Sequence, residues 1–151
     1  MVAVEKMITI NRPVEEVFAY VSDLQNSPLW QKGLLEARRI SEGPLGLGTQ
    51  YSDVRKFKGG RNVESVIQCT AYEPDKKLVI KTISSAWPYE DTYLFESSAG
   101  STRLTNRLEL QTSGLMALAG PLITSGLRRD METNFGVLKD LLESRGPAGS
   151  S

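Results

Sequence analysis

The stretch from Asn11 to Trp30 limits the possible folds more than any other part of the chain. It reads Asn11-Arg12-Pro13-Val14-Glu15-Glu16-Val17-Phe18-Ala19-Tyr20-Val21-Ser22-Asp23-Leu24, then Pro28-Leu29-Trp30. Pro13 suits a first helical position, where its missing N–H costs nothing, and Glu15 and Glu16 place negative charge at the positive end of the helix dipole. Val14, Val17, Phe18 and Val21 recur at i, i+3, i+4 and i+7, which predicts a helix from Pro13 to about Ser22 with one apolar stripe. Such a helix has to dock on a sheet, and the rest of the chain must build that sheet.

The chain has 151 residues, the size of one domain, and we expect that domain over residues 1–145 with a frayed tail at 146–151. Lys plus Arg and Asp plus Glu number 18 each, and the basic residues cluster no further than pairs such as Arg38-Arg39 and Arg128-Arg129. That distribution gives no footprint for nucleic acid or an anionic bilayer. No apolar run approaches the ~20 residues that span a membrane, and the first residues lack a signal pattern. The expectation is a cytoplasmic protein without stable membrane insertion, as a monomer or homodimer.

One cysteine, Cys69, and no histidine narrow the chemistry further. An intramolecular disulfide, a multi-cysteine metal site, Ser-His-Asp or Cys-His catalysis and histidine zinc sites are all excluded. No metal and no cofactor is expected. Any catalysis would fall to Asp, Glu, Tyr, Lys, Arg or bound water.

Alternating hydrophobicity predicts seven strands: Val2 to Ile10, Leu34 to Ser41, Thr49 to Phe57, Arg61 to Tyr72, Lys77 to Ser84, Tyr89 to Ser97 and Thr102 to Thr112. A short helical turn covers Leu24 to Ser27 before Pro28 stops it. Gly59-Gly60 reads as a hairpin turn, and Glu73-Pro74-Asp75-Lys76 as a turn with proline in its favoured second place. After Gly114 the period changes to 3.6, with Leu115, Leu118, Leu122, Leu127, Met131, Phe135, Leu138 and Leu142 in one stripe. A helix from Pro121 to Glu143, ~35 Å long, begins or is kinked at Pro121. The expected class is α+β: a seven-stranded antiparallel sheet, two short helices between its first two strands, and one long C-terminal helix to cover its apolar face.

That order, with Ile10-x-x-Pro13-x-x-x-Val17-Phe18 leading to Asp23 and Trp30, Gly46-x-Gly48-Thr49, Tyr72-Glu73-Pro74, Gly100-x-Thr102-x-Leu104-Thr105 and the ending Leu138-Lys139-x-x-Leu142-Glu143, resembles the START-related and polyketide cyclase/dehydrase superfamily (SRPBCC) over nearly the whole chain. The resemblance implies a helix-grip fold, a curved sheet wrapped around the long helix with a mainly apolar cavity between them. It implies an intracellular binder of a small hydrophobic or aromatic molecule, such as a lipid, a quinone or a polyketide. The alternative it implies is a cyclase/dehydrase, a lyase-type enzyme without metal that shuttles protons through polar cavity residues. Fold alone does not choose between them.

Strand parity supplies the candidates for the cavity wall. Tyr51, Asp53, Arg55 and Phe57 share one face of the third strand, where an Asp–Arg pair could orient a ligand oxygen or Asp53 could act as an acid or base; the alternative is a salt bridge at the rim. Tyr93 and Phe95 share a face with Tyr89 and Asp91, and Asn106 interrupts the apolar face made by Leu104, Leu108 and Leu110, so its amide needs a partner if buried. Ile67 shares its face with Cys69, read as a small buried hydrophobe. Trp30 either plugs the core or borders the cavity, and Trp87 is a lid or a packing residue. Leu118, Leu122 and Met131, mixed with Ser125 and Gly126, would suit a cavity roof. Asp53 and Tyr93 are the candidates for catalysis, and the others for ligand binding. The Gly46-x-Gly48 pattern serves a turn, since a strand and not a helix follows it.

Overall fold

A computed structural model describes residues 2–56, 60–111 and 120–145. Strand β1 (Val2–Ile10) leads into helix α1 (Val14–Ser22) and a 3-10 turn (Leu24–Leu29). Strands β2 (Leu34–Arg39), β3 (Gln50–Lys56), β4 (Asn62–Glu73), β5 (Lys77–Ser84), β6 (Tyr89–Ser98) and β7 (Ser101–Leu110) follow, and helix α2 (Gly120–Glu143) comes last. The strands form one antiparallel sheet in the order β1-β7-β6-β5-β4-β3-β2. Consecutive strands from β2 to β7 pair by hairpin, whereas β1 pairs with the last strand, Val2 opposite Leu110 and Ile10 opposite Thr102. This is the helix-grip architecture, and its α+β order is the one that the alternation predicts.

The core lies between one face of the sheet and two helical stripes. Val14, Val17, Phe18 and Val21 of α1 are buried, and Phe18 meets Tyr72 and Phe95 edge to face at ring-centroid distances of 5.3 and 5.0 Å. From α2 come Met131, Phe135, Leu138 and Leu142, with Phe135 stacked on Trp30 at 6.2 Å. An ion pair and a hydrogen bond fasten the same helix to β1 from outside: Lys6 Nζ lies 2.5 Å from Glu132, and Lys139 Nζ, paired with Glu143 one turn on, donates to the Thr9 carbonyl.

The long helix departs from the sequence expectation. Its apolar stripe is buried only from Met131 onward, and Leu122 stands 79% exposed, so it does not roof a cavity. Leu118, assigned to the same roof, lies outside the described residues, as do Phe57 and Gly59. Amphipathic spacing marks a face of a helix, but the length of that face which finds a partner depends on where the sheet ends.

Gly33 sets the geometry of the turn into β2. Its φ is +86°, a left-handed conformation open to glycine, and the Lys56 amide donates to its carbonyl at 2.7 Å. A Cβ there would lie 3.2 Å from the Lys56 carbonyl oxygen. Gly33→Ala is therefore expected to cost about 1–2 kcal/mol, measured by urea unfolding; an unchanged midpoint would show that the turn relaxes freely.

Candidate functional site

The buried face of β3 carries Tyr51 and Asp53, both 1% exposed, with Arg55 next in the same parity. Two strands further along the sheet than β4, the matching face of β6 carries Tyr89, Asp91, Tyr93 and Phe95. A pocket opens between these strands and the 3-10 turn. Leu24, Leu34, Ile67 and Ile80 form its apolar wall, and Asp53, Arg55, Tyr89, Asp91, Tyr93, Gln31 and Ser27 its polar one. The pocket and its open mouth enclose about 290 Å³, of which only about 20 Å³ is room for the centres of water molecules. That is space for one or two waters. The mainly apolar cavity implied by the resemblance is thus, at this place, a small pocket with a polar wall.

Each carboxylate is held by a tyrosine. Tyr89 donates its hydroxyl to Asp53 Oδ2 at 3.1 Å, and Tyr93 donates to Asp91 Oδ2 at 3.0 Å. Asn106, directly opposite Tyr93 in the ladder, donates its amide to Asp91 Oδ1 and to the Thr92 carbonyl. Arg55 stands between the two acids: its Nε lies 3.8 Å from Asp53 Oδ2, its Nη2 donates to Gln31 at 2.8 Å, and its guanidinium sits 5.9 Å from the Tyr89 ring centre. Two buried polar atoms on residues of the pocket, Asp53 Oδ1 and Ser27 Oγ, make no hydrogen bond among the described residues.

Burial governs the protonation of this cluster. It pushes the Asp91 carboxyl up to about 6, against the pull of the Asn106 and Tyr93 hydrogen bonds and of the Arg55 charge. Asp53 is raised for the same reason, with Arg55 and then Tyr89 drawing it back. Burial also raises both tyrosine hydroxyls, so Tyr89 and Tyr93 stay protonated donors. One cation and two carboxylates therefore share a small volume, one of the carboxylates titrating near neutrality.

A family model described as polyketide cyclase/dehydrase and lipid transport matches residues 1–143. The chain belongs to that family. Solved structures agree on the fold. TTHA0849 from Thermus thermophilus superposes with a TM-score of 0.80 at 17% identity, over 95% of this chain and 99% of that one. A START superfamily protein from Mycobacterium smegmatis gives 0.74 at 15% identity, over 94% and 97%. The di-domain ARO/CYC protein BexL of the BE-7585A biosynthetic pathway gives 0.65 at 18% identity, over 91% of this chain and 48% of that one. Comparison with curated proteins gives no match.

Within this family member, strand parity places Asp53, Arg55, Ile67 and Tyr93 at the pocket. Tyr51, Phe95 and Trp30 are buried in the core cluster and Met131 is buried on α2 outside that cluster, none of them lining the pocket, and Tyr51, raised to about 12 chiefly by burial, is a core residue with a protonated hydroxyl. Asn106 finds its partners in Asp91 and Thr92 and acts on the pocket through Asp91. Trp87 is half-buried beside the start of β6, its amide bonded to Ser85 Oγ at 3.0 Å. Cys69 is buried, its thiol donating to the Ala71 carbonyl at 3.3 Å.

The remaining pocket residues went unassigned in the sequence. Tyr89 and Asp91 had a usable signal, since the parity that selects Tyr93 and Phe95 selects them too. Ser27, Gln31 and Leu24 had none: the 3-10 turn and the residues after it come under the sheet by a path no periodicity records. Among the described residues no group of three Cys, Asp or Glu side chains is arranged to hold a metal, and no helix is long and apolar enough to cross a membrane.

Proposed function

We propose that this pocket binds a small hydrophobic or aromatic molecule that carries an oxygen function. The observation behind the reading is the pairing of an apolar wall with two buried polar atoms, Asp53 Oδ1 and Ser27 Oγ, that lack partners. A buried acceptor without a donor costs roughly 1–3 kcal/mol, and a ligand that supplies the donor recovers it. Few convergent polar groups on an otherwise apolar surface is the usual way to orient such a molecule. The space at hand holds one or two waters, so a ring-sized ligand enters only as the side chains around the pocket move apart.

A second reading is favoured by one specific observation, the elevation of Asp91 to about 6 beside a second buried carboxylate, Asp53, which burial also raises and Arg55 draws back. A carboxylic acid that exchanges its proton near that value, next to a second buried carboxylate, suits a proton shuttle of the kind a cyclase/dehydrase would need. Native mass spectrometry of freshly purified protein separates the possibilities at the first level. A stoichiometric adduct that leaves on mild activation, and that is reduced at least about fivefold when Ile67→Asp puts charge in the apolar wall, supports the pocket. An adduct equally abundant in that folded variant places the ligand elsewhere.

A further inference from the structure

The polar wall differs in the kinds of hydrogen bond it can still make, and that difference selects among ligands. Tyr89 and Tyr93 direct their hydroxyl hydrogens at Asp53 and Asp91, and the Asn106 amide is spent on Asp91 and the Thr92 carbonyl. The guanidinium is engaged by Gln31 and offset by Asp53. Among the described residues, the fully buried side-chain atoms of this wall without a partner are Asp53 Oδ1, an acceptor on a side chain 1% exposed, and Ser27 Oγ on a residue 4% exposed. A carboxylate accepts and does not donate when ionised. Formal charge points the same way: Asp53, Asp91 and Arg55 sum to −1 with both acids ionised and to zero with one protonated, so no state with Asp53 ionised carries net positive charge.

We infer that the pocket selects an uncharged ring compound by a hydroxyl group that donates to Asp53 Oδ1, and that it discriminates against carboxylates of the same shape. This rests on the binding role proposed above and gives it a chemical class. A hydroxyl supplies the missing donor in the direction the buried acceptor needs. An ether or ketone oxygen offers a second acceptor to the first, and a carboxylate adds a like charge in a site largely shielded from solvent.

Three probes with one ring system test it: 2-naphthol, 2-methoxynaphthalene and 2-naphthoate, titrated into the intact protein near neutral pH by calorimetry or by amide chemical-shift perturbation. The expected result is that 2-naphthol binds about tenfold or more tightly than the methyl ether, since hydrogen bonds to charged groups are worth at least that factor. The naphthoate is expected to bind weakest of the three. In Asp53→Asn the advantage of the hydroxyl over the ether should shrink to about twofold or less. Equal affinities for naphthol and its methyl ether in the native protein, or preference for the naphthoate, overturn the selection while leaving an aromatic pocket in place. If none of the three binds, the pocket reading falls and this inference with it. The native-protein series decides the matter even if the Asp53 variant does not fold.

Discussion

Leu138→Ala should remove about 3–4 kcal/mol of stability. Leu138 is fully buried on α2, in the cluster that joins Phe135 and Leu142 to the sheet. Deleting a buried leucine side chain costs its transfer free energy plus the cavity left behind, about 2–5 kcal/mol depending on how far the site collapses. Neighbouring strands fix the walls on one side and a helix anchored to β1 by the Lys6–Glu132 ion pair and the Lys139–Thr9 hydrogen bond fixes the other, so little collapse is available. For a domain of this size the melting midpoint should fall by on the order of 10 °C. Leu122→Ala on the same helix, at a position 79% exposed, should change stability by less than about 0.5 kcal/mol. Urea unfolding of the two variants side by side is the check, and comparable losses in both would refute the division of α2 into a packed half and a solvated one.

The second large effect is a fall in stability as pH rises from about 4 to 7. Burial lifts the Asp91 carboxyl from 3.8 to about 6 in the folded chain. Between those values the native state holds a proton that the unfolded chain has released, so each step up in pH favours unfolding. The contribution of this group is complete below the unfolded value and lost once pH passes the folded one. Its size is at most about 3 kcal/mol and nearer 2, because part of the side chain meets solvent. Asp53, raised in the same direction, adds to the slope. Unfolding free energies measured at half-unit pH intervals for the native protein and Asp91→Asn should diverge, the native curve falling by about 2 kcal/mol more across the window. Parallel curves would mean that Asp91 titrates as an exposed acid.

Most of the sheet was legible because its strands alternate cleanly. β3 and β6 each present one buried and one open face, and parity alone assigns Tyr51, Asp53, Tyr93 and Phe95 to the inside. β2 was harder: the expected strand ran to Ser41, but pairing stops at Arg39, with a register shift between Leu34 and Glu36. An edge strand has one partner, and its end is set by that partner's length rather than by its own residues. Site residues divide in the same way. Those on strands follow from period two, whereas Ser27 and Gln31 arrive through a 3-10 turn whose direction depends on Pro28, Trp30 and the helix before them. That Asp91 would carry the most displaced carboxyl could not be read from spacing, since it depends on how far the fold takes the group out of water against the opposing pull of Asn106, Tyr93 and Arg55.

The pairing of β1 with β7 has a consequence for how the molecule is made. Every other neighbouring pair in the sheet is local, formed as soon as its hairpin exists, but β1 must wait for a partner about a hundred residues downstream. Closing a loop of that length is slow compared with a hairpin. Of the strands in this sheet, the one made first is therefore the last to find its partner, and it spends that interval with unpaired amide groups beside the exposed stripe of α1. A mutation that strengthens β1 alone should leave the folding rate nearly unchanged and slow unfolding instead, because its contacts form after the barrier.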